Sequence, residues 1–345
     1  MAERWKIRPE GSNWGAFGAD DQRGRLNLLT PAVVRRAVQE VVEGRVFCLS
    51  LPLDLPGKNV LNPRRFPPRI EYSMRGDDPV INYPVGLVNP GQADVVCDDK
   101  VTLSTQYSTQ WDSLAHIGSV FDAQDTGKPQ VVYYNGFRAN EDVRGPFDYL
   151  DGRKPQDGPY GLRALGIENM AAAGVQGRGV MLDLFAHFGD TWRAIGYDDV
   201  MRVIEADKLE ILHGDILCVR TGFDRVLIGC AGDPPPGVAS SVGVGLDGSD
   251  ERLLRWIDDA GIAAIACDNE GVEILPCVTP SKHGSHFPLH EHCLFKLGIH
   301  LGEMFHLSDL ADWLRAHQRS AFLLTAPPLR LPGAAGSPVT PIATV

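Results

Sequence analysis

Residues 101–116 read VTLSTQYSTQWDSLAH. Within them, Gln106–His116 gathers a carboxylate, an imidazole, two amides and three aliphatic hydroxyls into eleven residues. Alternation over 101–111 predicts a strand, with Gln106, Ser108 and Gln110 on one face and Tyr107, Thr109 and Trp111 on the other. Asp112 continues the polar face, and His116 follows after a turn or at a helix start. An Asp can hold a metal or orient a base, and a His can shuttle protons near neutral pH. Asp112 and His116 are therefore the first candidates for chemistry. A second polar cluster lies far along the chain: His283, His286, His290, Glu291, His292 and Glu303. Two such clusters predict an active site built from both halves of one fold.

Around this centre the pattern alternates between strands and helices. Thr30-Pro31 caps a helix over 31–43, and RVFCLSLPLD leaves it as a strand. Residues 164–174 predict a short helix, GRGVMLDLFAHFG a buried strand carrying Asp183 and His187, and 205–212 a helix. ILCVRTGF is a buried strand, 245–261 a helix, and 262–269 a strand ending in Asp268 and Asn269. Segment 289–298 is helical, IHLGEMF a strand with Glu303, 307–318 a last helix, and SAFLLTAPPLRL a closing strand. Such alternation implies an α/β sheet. Residues 1–30 form an N-terminal extension. Residues 53–100, rich in Pro, Gly, Asn and Asp, form a loop-rich insertion near the pocket or a subunit contact. The whole of 1–345 is expected to be a single domain.

Composition narrows the function. The net charge of -11 disfavours nucleic acid, whose backbone demands a basic surface. No stretch has the apolar length of a membrane helix, and the N-terminus lacks a signal-peptide core. A cytoplasmic location is the expectation, with no membrane partner. The seven cysteines form no CxxC pair, so a zinc knuckle or redox dithiol is not indicated. Cys218, Cys230 and Cys267 sit in apolar runs as buried thiols, and Cys293 near the His cluster offers a nucleophilic alternative. There is no P-loop, no GxGxxG after a strand, no GxSxG elbow and no HExxH. What remains is a set of oxygen and nitrogen donors on different elements, the usual assembly of a hydrolytic metal site.

Gln106–His116 resembles the signature HxGTHxDxPxH of the cyclase-like family of metal-dependent hydrolases, which includes bacterial kynurenine formamidase and isatin hydrolase. WGAFGADDQRGRLNLLTP, GRGVMLD, GDILCVRTG, AAIACDNEGVEILP, LFKLGIHLGE and PLRLPGAAGSPVTPIA resemble further blocks of its longer members. The resemblance implies a kynurenine-formamidase-like (swivelling β/β/α) fold, with a mixed sheet or barrel-like core and flanking helices. It also implies a homodimer or a pair of dimers. Members with the full signature use its first two His and its Asp as metal ligands and its last His as acid/base, adding a late His and Glu. Here Gln106 and Gln110 stand at the two His positions, Asp112 matches the Asp, and His116 matches the last His. Glu303 matches the late Glu. The offset for the late His falls on Glu291, with His290 favoured and His292 the alternative, and with His283 or His286 able to complete the set.

The implied cofactor is a divalent ion, Zn²⁺, Mn²⁺ or Mg²⁺. A Gln amide binds transition metals weakly, so the two glutamines either shift preference toward a harder ion or leave the site without metal. The expected reaction is hydrolysis of an amide, lactam, formamide or lactone. Asp112, His290 and Glu303 hold the ion, His116 moves the proton, and Gln106 and Gln110 hydrogen-bond the substrate or water. Trp14, Phe17, Trp111, Tyr133, Tyr134 and Phe185 are candidates for an aromatic wall around a planar or cyclic substrate. Two alternatives stand beside this. One is a metal-free hydrolase, dehydratase or isomerase in which Asp112 orients His116; the other is a binding protein that kept the fold without activity.

Overall fold

In the computed structural model, which describes residues 4–281 and 284–345, nine strands form one mixed sheet. They are β1 (Val46–Cys48), β2 (Gln110–Asp112), β3 (Gln176–Asp183), β4 (Ile216–Arg220), β5 (Ala264–Cys267), β6 (His300–Glu303), β7 (Ala321–Thr325), β8 (Gly336–Pro338) and β9 (Ile342–Thr344). Their spatial order is β1-β9-β7-β3-β4-β5-β6-β2-β8. The central four, β3 to β6, run parallel. Their neighbours on both flanks are antiparallel. The architecture is the expected mixed sheet with flanking helices.

The reason lies in the residues. Every position of β4 and β5 is buried, as parallel strands covered on both faces require. Their side chains divide between two cores with period two. Leu217, Val219, Ile265 and Cys267 enter one, and Ile216, Cys218, Ala264 and Ala266 the other. Parallel neighbours need crossovers; helices Tyr197–Ala206 and Glu251–Asp259 provide the first two and the helical segment 288–297 the third. The second is capped by Asp250, whose side chain accepts from the Arg252 and Leu253 amides, and it buries Leu253 and Ile257 one turn apart.

Several elements differ from the sequence expectation. The strand over 101–111 divides in two: Asp99–Thr102 pairs antiparallel with Arg69–Tyr72 in a largely exposed two-stranded sheet, and β2 begins only at Gln110. Between them, side chains take up the backbone bonds that a ladder would have used. Thr109 Oγ1 donates to the Met304 carbonyl and accepts from the Leu51 amide. Ser108 Oγ donates to the Pro52 carbonyl, and Tyr107 OH to that of Lys58. The strand carrying Asp183 ends there. Asp183 accepts from the Ala186 amide and caps helix Leu184–Phe188, so His187 is helical. The expected helix over 205–212 lies earlier, at Tyr197–Ala206. Segment 289–298 is helical, but Glu291–Leu297 is a π-helix following the short turn Pro288–His290.

Among the cysteines, Cys218 and Cys267 are buried, whereas Cys230 is half-exposed. Cys293 is also buried, and burial pushes its thiol well up; the thiolate a nucleophile needs is suppressed. Among the described residues no helix is long and apolar enough to cross a membrane.

Candidate active site

The end of β6 and the short strand β2 lie side by side, with Glu303 opposite Gln110. Residues 110 and 112 share one face of β2. That face is polar, while Trp111 points into the opposite core. Gln110 Nε2 donates to Glu303 Oε2 at 2.8 Å. The sheet thus brings Asp112 beside Glu303 across a sequence gap that no local pattern spans.

His290 closes the group. Its Nε2 lies 3.3 Å from Glu303 Oε1. The family-derived offset falls on Glu291, but the π-helix takes more residues per turn than an α-helix, which shifts the register. His290 therefore turns toward Glu303, and Glu291 accepts from Ser281 Oγ instead. Asp112, His290 and Glu303 are all buried, with one donor atom from each lying within 4.8 Å of the others.

Glu273 holds this histidine. His290 Nδ1 donates to Glu273 Oε1 at 2.7 Å, and the backbone amides of Leu289 and His290 donate to the same carboxylate. The residue was not among the sequence candidates; its only signal was an acidic residue inside the apolar run GVEILP. Gly248 is needed here, since a Cβ would lie 2.4 Å from Glu273 Oε2. His300, also unassigned from sequence, donates from Nδ1 to the Asp112 carbonyl at 2.9 Å.

Charge is distributed unevenly. Burial opposes protonation of His290, but its bonds to Glu273 and Glu303 outweigh this and push it up to about 10. Burial likewise opposes the charge of Glu303, and His290 outweighs it, holding Glu303 below its ordinary value. Asp112 has no such partner. Burial and the charge of Glu303 push it well up, and neither carboxylate oxygen has a hydrogen-bond partner among the described residues. Gln110 Oε1 is buried without a partner as well. Unpaired buried oxygens are costly unless something positive meets them. The orphaned Asp112 oxygens, a histidine oriented by a second carboxylate, and Glu303 fit a divalent cation.

This group opens into a cavity of about 520 Å³, lined by His116, His290, Glu303, Glu270, Arg64 and Arg65 among others. Burial and the positive charge of His290 push His116 down to about 4. Gln106 Nε2 lies 3.4 Å from its Nδ1, and its Nε2 is 3.9 Å from Asp112 Oδ1. Glu270 was likewise unassigned from sequence; burial and Glu303 push it up to about 7.

Other candidates lie elsewhere. His292 is buried, but its neighbours are Lys296, Arg25 and the Leu254 backbone, and it does not join the metal group. Two residues after His290 on the helical segment, it leaves on another face. His286 is exposed, and His283 falls outside the described residues. Trp111 is fully buried, with Nε1 donating to the Ala326 carbonyl, so it is a core residue rather than a substrate contact. Tyr134 and Trp14 are fully buried in the other core, Trp14 edge-on to Phe295. Tyr133 lines two other clefts, and the Phe185 ring lies under Arg220. Phe17 is half-buried and is not in the cavity wall. The aromatic side chain on that wall is Phe287, which the sequence reading did not select. Gln110 Nε2 holds Glu303 while its Oε1 is unpartnered among the described residues, and Gln106 approaches His116.

Comparison with known proteins places this geometry. The Cyclase family profile matches residues 47–274. No curated protein matches the chain. Among solved structures, one described as a novel cyclase is 30% identical, with 97% of each chain covered and a TM-score of 0.73. Isatin hydrolase A from Labrenzia aggregata is 16% identical over 93% of this chain and 98% of its own, with a TM-score of 0.52. Isatin hydrolase A from Ralstonia solanacearum is 15% identical over 91% and 95%, with a TM-score of 0.53. These last two share the fold. The profile match and the cyclase structure together show that this chain belongs to the Cyclase family.

Proposed function

We propose that this protein is a metal-dependent hydrolase of a small amide, lactam, formamide or lactone. The observation that carries the reading is the buried Asp112–His290–Glu303 group, with both Asp112 oxygens unpartnered among the described residues, beside the cavity that His116, His290 and Glu303 line. A divalent cation held there supplies polarisation of the substrate carbonyl and acidification of water. Glu273 orients His290 and fixes which ring nitrogen faces the site. Gln110 holds Glu303 in place. His116, unprotonated at neutral pH, accepts a proton from the attacking water and returns it to the leaving nitrogen or oxygen. The metal-free alternative, with Asp112 orienting His116 directly, lacks a hydrogen bond: 3.9 Å separates Oδ1 from Nε2.

The test joins metal content per chain with turnover on a panel of amides, lactams, formamides and lactones, with and without chelator. His116→Ala and Asp112→Asn are each expected to lower kcat by about 100-fold or more, the scale of losing a positioned acid, base or ligand. Activity that survives both changes, or that is indifferent to chelation, overturns the reading.

A further inference from the structure

The cavity carries two cations that the hydrolytic group does not use. Arg64 and Arg65 lie in a turn tied to the site segment. Asn62 Oδ1 accepts from the Arg64 amide and its carbonyl from the Arg65 amide. Tyr107 OH donates to the Lys58 carbonyl, and the Phe66 amide to Ser104 Oγ. The turn is thereby pinned to residues 104–107, and both arginines line the same cavity as His116, His290 and Glu303.

Elsewhere buried arginines are matched with carboxylates. Arg178 meets Glu40 and Asp215, and Arg220 meets Asp183. Among the described residues, no hydrogen bond or ion pair engages the side chain of either Arg64 or Arg65. Arg65 is half-buried, it lines the cavity with His116, Glu270, His290 and Glu303, and its charge acts on Asp112, His116, Glu270 and Glu303. A guanidinium fork matches a carboxylate in bidentate fashion. The same cavity is also lined by the apolar side chains of Leu61, Ile117, Val238, Leu275 and Phe287.

We propose that Arg65, aided by Arg64, binds a carboxylate carried by the substrate itself, remote from the bond that is cleaved. The ligand class is then a small organic anion with an apolar body. The assignment deepens the hydrolase reading, but its test requires no turnover, so the two can fail separately.

Calorimetric titration of the purified protein with terephthalamate, benzamide and benzoate tests it. Terephthalamate carries an intact amide and a distant carboxylate; benzamide has only the amide, and benzoate mimics a product carboxylate. The expectation is that terephthalamate binds at least about tenfold tighter than benzamide, about 1.4 kcal/mol. Arg65→Gln should erase the difference and Arg65→Lys keep part of it. Melting of each unliganded variant shows whether it is folded. Equal affinity for terephthalamate and benzamide overturns the proposal, as does a preference that survives Arg65→Gln in combination with Arg64→Gln. Arg65-dependent binding of benzoate without a preference for terephthalamate also overturns it, because Arg65 would then serve the product carboxylate.

Discussion

Asp112→Asn should make the metal-free protein more stable while removing its response to metal. Both Asp112 oxygens are buried without hydrogen-bond partners among the described residues, and the charge faces Glu303. A buried polar group left unsatisfied costs about 1–3 kcal/mol, and more when charged. Asparagine keeps the shape and drops the charge, so a gain of about 1–3 kcal/mol is expected with chelator present. At the scale of roughly 2–4 °C per kcal/mol for large domains, melting should rise by about 2–12 °C. The carboxyl is raised in the folded state, so its penalty is absent below the unfolded carboxylate range and accrues as pH rises toward the folded value. The advantage of the variant should therefore shrink in acid. With the ion in hundredfold excess over its dissociation constant, the native chain should gain about 2.7 kcal/mol, and the variant far less. The assay is thermal melting of both proteins in chelator and in Zn²⁺, Mn²⁺ and Mg²⁺. A variant that melts below the native chain in chelator, or that gains as much from metal, would refute the reasoning.

Three further outcomes are expected. Glu273→Gln loosens the hold on His290 and should weaken metal affinity about 10- to 100-fold, measured by competition with a chelating dye; unchanged affinity would deny Glu273 that role. Trp111→Ala should cost about 3–5 kcal/mol in urea unfolding, whereas a cavity-lining tryptophan would cost little. His306 Nδ1 donates to Asp224 Oδ2, and this bond raises His306 while it lowers Asp224 despite burial. That stability is present below the unfolded histidine value of about 6.5 and is lost as pH rises through the raised folded value. The native unfolding midpoint should thus fall more between about pH 6 and about pH 9 than that of His306→Gln, and parallel curves would count against the pair.

Local regularities were legible wherever a residue's role depends on its neighbours in sequence. The apolar runs of β4 and β5 announce buried strands because parallel strands are covered on both faces. Thr30-Pro31 announces a helix start because capping is local. The aromatic residues misled for a complementary reason. A tryptophan beside a polar strand face reads equally as pocket or core, and in β2 the pleat sends Trp111 to the core while Gln110 and Asp112 face the site. Glu273 was invisible because an acid in an apolar run has no meaning until its partner, His290, is brought to it.

By itself, then, the sequence determined the alternation of strands and helices, the candidacy of Asp112 and His116, and the resemblance that drew Glu303 and a late histidine into the same site. Tertiary structure decided which histidine that is. A π-helix changes the number of residues per turn, and the resulting register is set by packing of Leu294, Phe295 and Leu297 into the core. It also decided that Gln110 serves Glu303, that Glu273 serves His290, and that Arg64 and Arg65 overlook the site. Each of these depends on residues far apart in the chain, whose proximity arises only when the sheet order places β6 beside β2.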